Sequence, residues 1–205
     1  VGSSGAGKSS LLGLLLGWHR LADGRLWVDG HPMGEGDIEA LRRQVAWVDP
    51  AVQLWNRSLL DNLQYASDGD GLSQVGRTIE AAQLRAVAGT LPHGLQTLLG
   101  EGGARLSGGE GQRVRLGRAL MQPTPRLVLL DEPFRGLDRP QRHLLLTEAR
   151  RWWAATTLLC VTHDVGETLA FGRVLVVEQG RIVEDGRPRD LALANSRYRQ
   201  LLAAE

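Results

Sequence analysis

The first nine residues limit this chain more than anything that follows them. Gly2-Ser3-Ser4-Gly5-Ala6-Gly7-Lys8-Ser9 fits the spacing G-x-x-x-x-G-K-[ST]. Glycines at these places let the backbone curl until successive N–H groups point at one centre. A helix starting behind the turn adds the positive end of its dipole. That arrangement suits phosphate oxygens. Lys8 brings a compact charge to the β/γ end of a nucleotide, and Ser9 offers a hydroxyl to Mg2+. Of 24 Lys+Arg, only Lys8 is lysine. A chain that uses arginine elsewhere keeps an ammonium here, which weighs against a chance Gly/Ser turn.

Composition narrows the rest. Against 23 Asp+Glu the basic residues leave a net charge of +1, too little for a broad basic field, so no nucleic-acid partner is expected. The leucine run from Leu11 to Leu16 is interrupted by Gly13 and falls far short of the roughly 18 apolar residues of a membrane span. A single cysteine, Cys160, excludes an intrachain disulfide and fits a reducing compartment. The 205 residues suit one α/β domain, or a core with a smaller insert. No signal peptide is recognisable. Because the row opens on Val1 inside a glycine-rich motif, the chain is expected to be part of something longer.

Hydrophobic patterning predicts helices over 8–16, 38–43, 58–66, 72–85, 107–121, 141–153 and 196–204. Strands are predicted over 25–28, turned by Asp29-Gly30, and over 45–48, 127–130, 157–161 and 174–177. The last three are near-continuous apolar runs, as suits strands buried on both faces of a sheet. With the helix over 141–153 the first two make a βαβ unit. From about 51 to 125 no strand of any strength appears, and this stretch reads as a helical insert. There is no internal repeat.

Leu127-Val128-Leu129-Leu130-Asp131-Glu132 is a buried strand ending in two acids. Beside a phosphate cradle, Asp131 would serve the Mg2+ shell and Glu132 would position or activate water at the γ-phosphate; otherwise the pair is a polar strand end. His163 follows the next apolar strand. Alone it reads as a cap or surface residue, and one strand over from the two acids it becomes a γ-phosphate contact. Cys160 reads as inert core. In Leu106-Ser107-Gly108-Gly109-Glu110, Ser107 would N-cap the next helix, and the two glycines free its first N–H groups. This is a second phosphate-binding helix end. One chain cannot easily bring both ends to one γ-phosphate, so the simplest geometry is a head-to-tail dimer.

In these motifs and their order the chain resembles the ATP-binding cassette (ABC) superfamily. The resemblance covers Walker A at Gly2–Ser9, the LSGG signature at Leu106–Gly109, Walker B at Leu127–Asp131, Glu132 as catalytic glutamate, a D-loop at Gly136-Leu137-Asp138, and the switch His163. It implies a P-loop NTPase (RecA-like) α/β core over 1–50 and 126–205, with the helical signature subdomain at about 51–125. It implies ATP and Mg2+ held by Gly2 to Ser10 (Gly2, Ser3, Ser4, Gly5, Ala6, Gly7, Lys8, Ser9, Ser10), with Ser9 and Asp131 on the metal. Ser107, Gly108, Gly109 and Asp138 complete nucleotide contacts across a head-to-tail dimer with a second cassette, alike or different. Leu91–Thr97, Leu99–Gly103, Leu41–Val45, Asp61–Leu63 and Gly180–Gly186 resemble the exporter branch. That branch implies a transmembrane domain, expected upstream, and a place on the cytoplasmic face of a bacterial inner or plasma membrane.

The chain departs from the family at Pro50, which stands where a glutamine normally joins the Mg2+ shell. Gln53 is the nearby substitute. Glu110 replaces the usual signature glutamine, and Arg135-Gly136 replaces the small residues common before the D-loop. The family's adenine-stacking aromatic would lie upstream of Val1, and Trp152 and Trp153 read as packing residues. Two other readings stand beside the exporter ATPase: a soluble ABC ATPase, and a catalytically weak cassette paired with an active one.

Overall fold

A computed structural model describes residues 1–49, 51–65 and 72–204. Pro50 and the turn Asp68-Gly69-Asp70-Gly71 lie outside the described residues. The helices are α1 (Lys8–Leu15), α2 (Glu35–Arg42), α3 (Leu59–Gln64), α4 (Leu72–Ala81), α5 (Arg85–Thr90), α6 (Gly108–Leu120), α7 (Arg139–Trp152), α8 (Pro188–Leu193) and α9 (Arg197–Ala203). The strands are β1 (Trp27–Val28), β2 (His31–Pro32), β3 (Val45–Val48), β4 (Leu127–Asp131), β5 (Thr157–Val161), β6 (Val174–Glu178) and β7 (Arg181–Gly186). They belong to two compact units, one formed by Val1–Arg43 with Val161–Glu205, the other by Gln44–Cys160.

In the first unit β1 and β2 form a hairpin. Its turn, Asp29-Gly30, takes φ 52° and 78°, the left-handed pair that a two-residue hairpin needs to match strand twist. A second antiparallel pair joins β6 to β7. Val1 lies along the other edge of β6, its amine donating to Leu175 O (2.9 Å) and its carbonyl accepting from Val177 N (2.9 Å). Val165, Val174, Val176 and Tyr198 form a buried cluster, with Leu191, Leu201 and Leu202 packed on it. The Tyr198 hydroxyl is satisfied there by Thr168 Oγ1 at 2.8 Å.

In the second unit β3, β4 and β5 lie side by side in that order. β3 runs parallel to β4, with Val45 opposite Leu127 and Val48 opposite Leu130. A parallel pair needs a long crossover, and the helices between residues 59 and 120 supply it. Val128, Leu129 and Leu130 are completely buried, as an uninterrupted apolar run requires. Ser58 caps α3 by accepting from Asp61 N (3.0 Å). Gly117 lets α6 approach α3, since a Cβ there would meet Leu63 Cδ2 at 2.7 Å.

β6 pairs with β7 and lies beside Val1, and its Val174 and Val176 are buried in the Val165–Tyr198 cluster. One predicted helix is corrected. The helix predicted over 72–85 breaks at Gln83, whose φ of 53° no α-helix accommodates; α5 follows as a separate element. α8, started by Pro188 in its first turn, has no counterpart in the prediction. The two units follow packing, and so keep β3, β4 and most of β5 with the helices that connect them.

Candidate nucleotide-binding site

The loop before α1 is held open by backbone geometry that only glycine tolerates. Gly2, Gly5 and Gly7 have φ of 143°, 76° and 101°, outside the range of ordinary side chains. At Gly2 space forbids a side chain as well, since a Cβ would stand 2.1 Å from Val177 O. Gly180 supports the loop by donating to Ala6 O (2.9 Å). Gly7 gives α1 no side-chain cap, and its first turn holds no acid. These N–H groups therefore suit an incoming anion. Lys8 is nearly buried, and its Nζ donates to Gly2 O and Ser3 O, both at 2.8 Å. Ser3, Ser4, Gly5, Ser9 and Ser10 are exposed, while Ala6 is buried beneath them.

His163 belongs to the same unit and is exposed on the loop after β5. Its neighbours fix that loop. Asp164 N donates to Thr162 Oγ1 (3.1 Å), which itself donates to Glu167 Oε2 (2.9 Å). Glu167 N donates to Asp164 Oδ1 (3.3 Å).

The other residues of interest lie in the second unit. Asp131 ends β4 with only 7% of its surface exposed and its Oδ1 fully buried. Glu132 leaves the strand at φ 43°, a left-handed conformation that costs a residue of this size about 1–3 kcal/mol. A turn closed by Arg135 N on Glu132 O (3.2 Å) holds it there. Ser107 caps α6 reciprocally: Glu110 N donates to Ser107 Oγ (3.3 Å), and Ser107 N donates to Glu110 Oε2 (2.8 Å). That N–H holds the Glu110 carboxyl below its ordinary range. Ser107 and Gly108 are exposed. Gly109 accommodates the neighbouring loop, because a Cβ there would meet Leu137 Cδ2 at 2.6 Å. Asp138 caps α7, accepting from Gln141 N (2.8 Å), with Pro140 in the first turn.

The structure thus places Gly2–Ser10 and His163 in one unit, and Asp131, Glu132, Ser107–Gly109 and Asp138 in the other. It brings Gly109 against the segment leading to Asp138. Taken separately, Ser9 in the first unit offers a hydroxyl and Asp131 in the second a carboxylate, each a hard oxygen of the kind that Mg2+ takes. Mg2+ is commonly bound by one or two carboxylates plus phosphates and water. Among the described residues no cluster of three or more His, Cys, Asp or Glu forms a separate metal cage.

Three residues stand out, of which the sequence analysis names only Asn62, within Asp61–Leu63 and without a role. Asn62, Arg115 and Arg118 are buried or half-buried and bond the backbone of the segment 52–58. Nothing in the composition or spacing of an arginine-rich chain distinguishes these two arginines from the other 21.

Residues 1–135 match the family described as ABC transporter. An ATP-dependent lipid A-core flippase of Xylella fastidiosa is 34% identical over the whole chain, which spans 35% of that protein. The corresponding flippase of Burkholderia orbicola is 35% identical over 98% of the chain, which spans 34% of it. A solved structure of a bacterial Atm1-family ABC exporter with ATP bound superposes with a TM-score of 0.93 at 30% identity. It covers 99% of this chain, which spans 36% of it. The chain therefore spans about a third of the length of the relatives it matches. Among the described residues no helix is long and apolar enough to cross a membrane. With well over half of its residues inside the family match, the chain belongs to the ABC transporter family and has that family's P-loop NTPase α/β fold.

Proposed function

We propose that the chain powers an exporter by hydrolysing Mg2+-ATP, working with a transmembrane domain on the cytoplasmic face of a bacterial inner or plasma membrane. The greater length of the relatives supports that partner. Lipid A-core, in the relatives' names, is the first substrate to test. Within the cassette, about 51–125 acts as the helical subdomain on a core of 1–50 and 126–205.

Gly2 to Ser10 hold the phosphates through backbone N–H groups and Lys8. Ser9 and Asp131 hold Mg2+, which when bound neutralises charge on the β- and γ-phosphates. A second cassette, packed head to tail, presents its own Ser107, Gly108, Gly109 and Asp138 to the same nucleotide. Glu132 orients or deprotonates a water that attacks the γ-phosphorus in line. The bond to the β,γ-bridging oxygen breaks, ADP leaves, and His163 steadies the charge that develops. The nearly buried Lys8, set at an uncapped helix start with no acid in its first turn, carries this reading. Phosphate release from ATP by the purified protein should stop when EDTA removes the metal and return when Mg2+ is restored. Turnover indifferent to EDTA would contradict the role of Ser9 and Asp131.

A further inference from the structure

The segment from Val52 to Ser58 joins another stretch of backbone at its end, where Arg57 O accepts from Leu99 N (2.9 Å) and Ser58 bridges Leu98, and side chains hold most of its other steps. Asn62 Nδ2 donates to Trp55 O (3.0 Å), Arg57 O (3.3 Å) and Ser58 O (3.0 Å), while its Oδ1 accepts from Trp55 N (3.1 Å). Two arginines three residues apart on α6 complete the hold. Arg115 Nε donates to Val52 O (2.6 Å) and its Nη1 to Gln112 Oε1 (3.3 Å). Arg118 donates from Nη1 to Gln53 O (3.1 Å), from Nε to Asn62 O (3.0 Å) and from Nη2 to Asn62 Oδ1 (2.7 Å).

Arg118 is an unusual choice for a place so dry. It is 7% exposed, and all three of its acceptors are amide oxygens. Its guanidinium lies 4.2 Å from the centre of the Trp55 ring and 5.7 Å from that of Tyr65. Burial, followed by the neighbouring Arg115, pushes its pKa down to about 10. Burying a cation without a carboxylate is costly in general, and an apolar side chain of similar volume often stabilises such a site instead. Packing alone therefore does not account for an arginine here. Geometry does: only a planar fork reaches one carbonyl of the loop and two oxygens of α3 from a single position on α6.

We infer that Arg115 and Arg118 are positioning residues for ATP hydrolysis, clamping the 52–58 loop to the helix whose first turn is the signature Ser107–Gly109. The inference rests on the proposed role of Ser107–Gly109 toward a second cassette's nucleotide. Gln53 stands on this loop with its carbonyl clamped and its side chain exposed. A shift of the loop is thus passed along one rigid 13-residue helix to the end that closes on the opposite nucleotide. Neither arginine is among the residues proposed to hold ATP or metal.

The test compares Arg118→Met, Arg118→Lys and Arg115→Met with the unaltered protein, reading melting temperature, ATP affinity and turnover separately. Arg118→Met should fold, melt near the unaltered protein and bind ATP with unchanged affinity. Its kcat should fall about tenfold or more, the scale of a misplaced catalytic surface. In a Glu132→Gln background it should also lose ATP-driven pairing of cassettes. Arg118→Lys should not restore turnover, because an ammonium cannot reach all three acceptors. Arg115→Met carries the same expectation in weaker form and decides the matter if Arg118→Met does not fold. A folded variant with normal kcat would overturn the clamp, as would a loss that merely tracks ATP affinity or melting temperature. Absence of ATP turnover in the unaltered protein would overturn the proposed function and the clamp together.

Discussion

Lys8 is the only ammonium side chain in the molecule, and its Nζ sits between two carbonyls of its own loop at 2.8 Å each. An arginine keeps the charge but brings a wide planar fork into a space shaped by Gly2 and Ser3. Lys8→Arg should therefore lower ATP affinity by about tenfold or more, about 1.4 kcal/mol, as read by titration with a fluorescent nucleotide. Unchanged affinity would remove the argument from the lone lysine. Gly2→Ala should be worse, since its Cβ would stand 2.1 Å from Val177 O at φ 143°. That variant should lose nucleotide binding while the rest of the fold, read by circular dichroism, persists. The glycines were legible in the sequence from their spacing alone. Glu132's left-handed backbone was not, because glutamate has no preference that announces it. The bonds of Asn62, Arg115 and Arg118 were equally hidden, since they run to the backbone of a loop whose path depends on the finished fold.

At the level of elements, the caps are where sequence and structure agree most closely. Ser107 and Glu110 stand three apart, the spacing of a capping box, and the structure forms both of its bonds. The Ser107 N–H holds the Glu110 carboxyl below its ordinary value near 4.5. A depressed carboxyl stabilises the folded cap above that ordinary value, and the contribution is lost as pH falls through the lowered folded value. The Ser107 amide resonance should accordingly titrate with an apparent pKa below 4.5, and Glu110→Gln should abolish that titration. A titration at or above 4.5 would mean the carboxylate bond is absent in solution. Elsewhere local pattern was a poorer guide. The 174–177 run carries the same apolar signal as 127–130, but strand pairing is decided by which edges remain, and β6 found β7 and Val1. The break at Gln83 separates α4 from α5 without a proline or glycine at the site, so periodicity alone joined them.

For the whole molecule, two compact units divide the residues of the proposed machinery. The phosphate loop and His163 fall in one, and Asp131, Glu132 and the signature helix in the other. The sequence placed all of these motifs in order, because each depends on a short local spacing. It drew the helical insert at 51–125, where composition changes from strands to helices, whereas the compact units join β3 and β4 to those helices by packing. The proposed machine needs a further partition, since Ser107 and Gly108 are exposed and Ser107–Gly109 are assigned to a neighbouring cassette's nucleotide. The proposed reaction is ATP hydrolysis with Glu132 acting on the attacking water. Its sharpest test is steady-state phosphate release measured beside ATP binding, for the unaltered protein and for Glu132→Gln. Glu132→Gln should bind ATP as tightly as the unaltered protein while turnover falls by about 100-fold or more. Substantial turnover remaining in Glu132→Gln would contradict it.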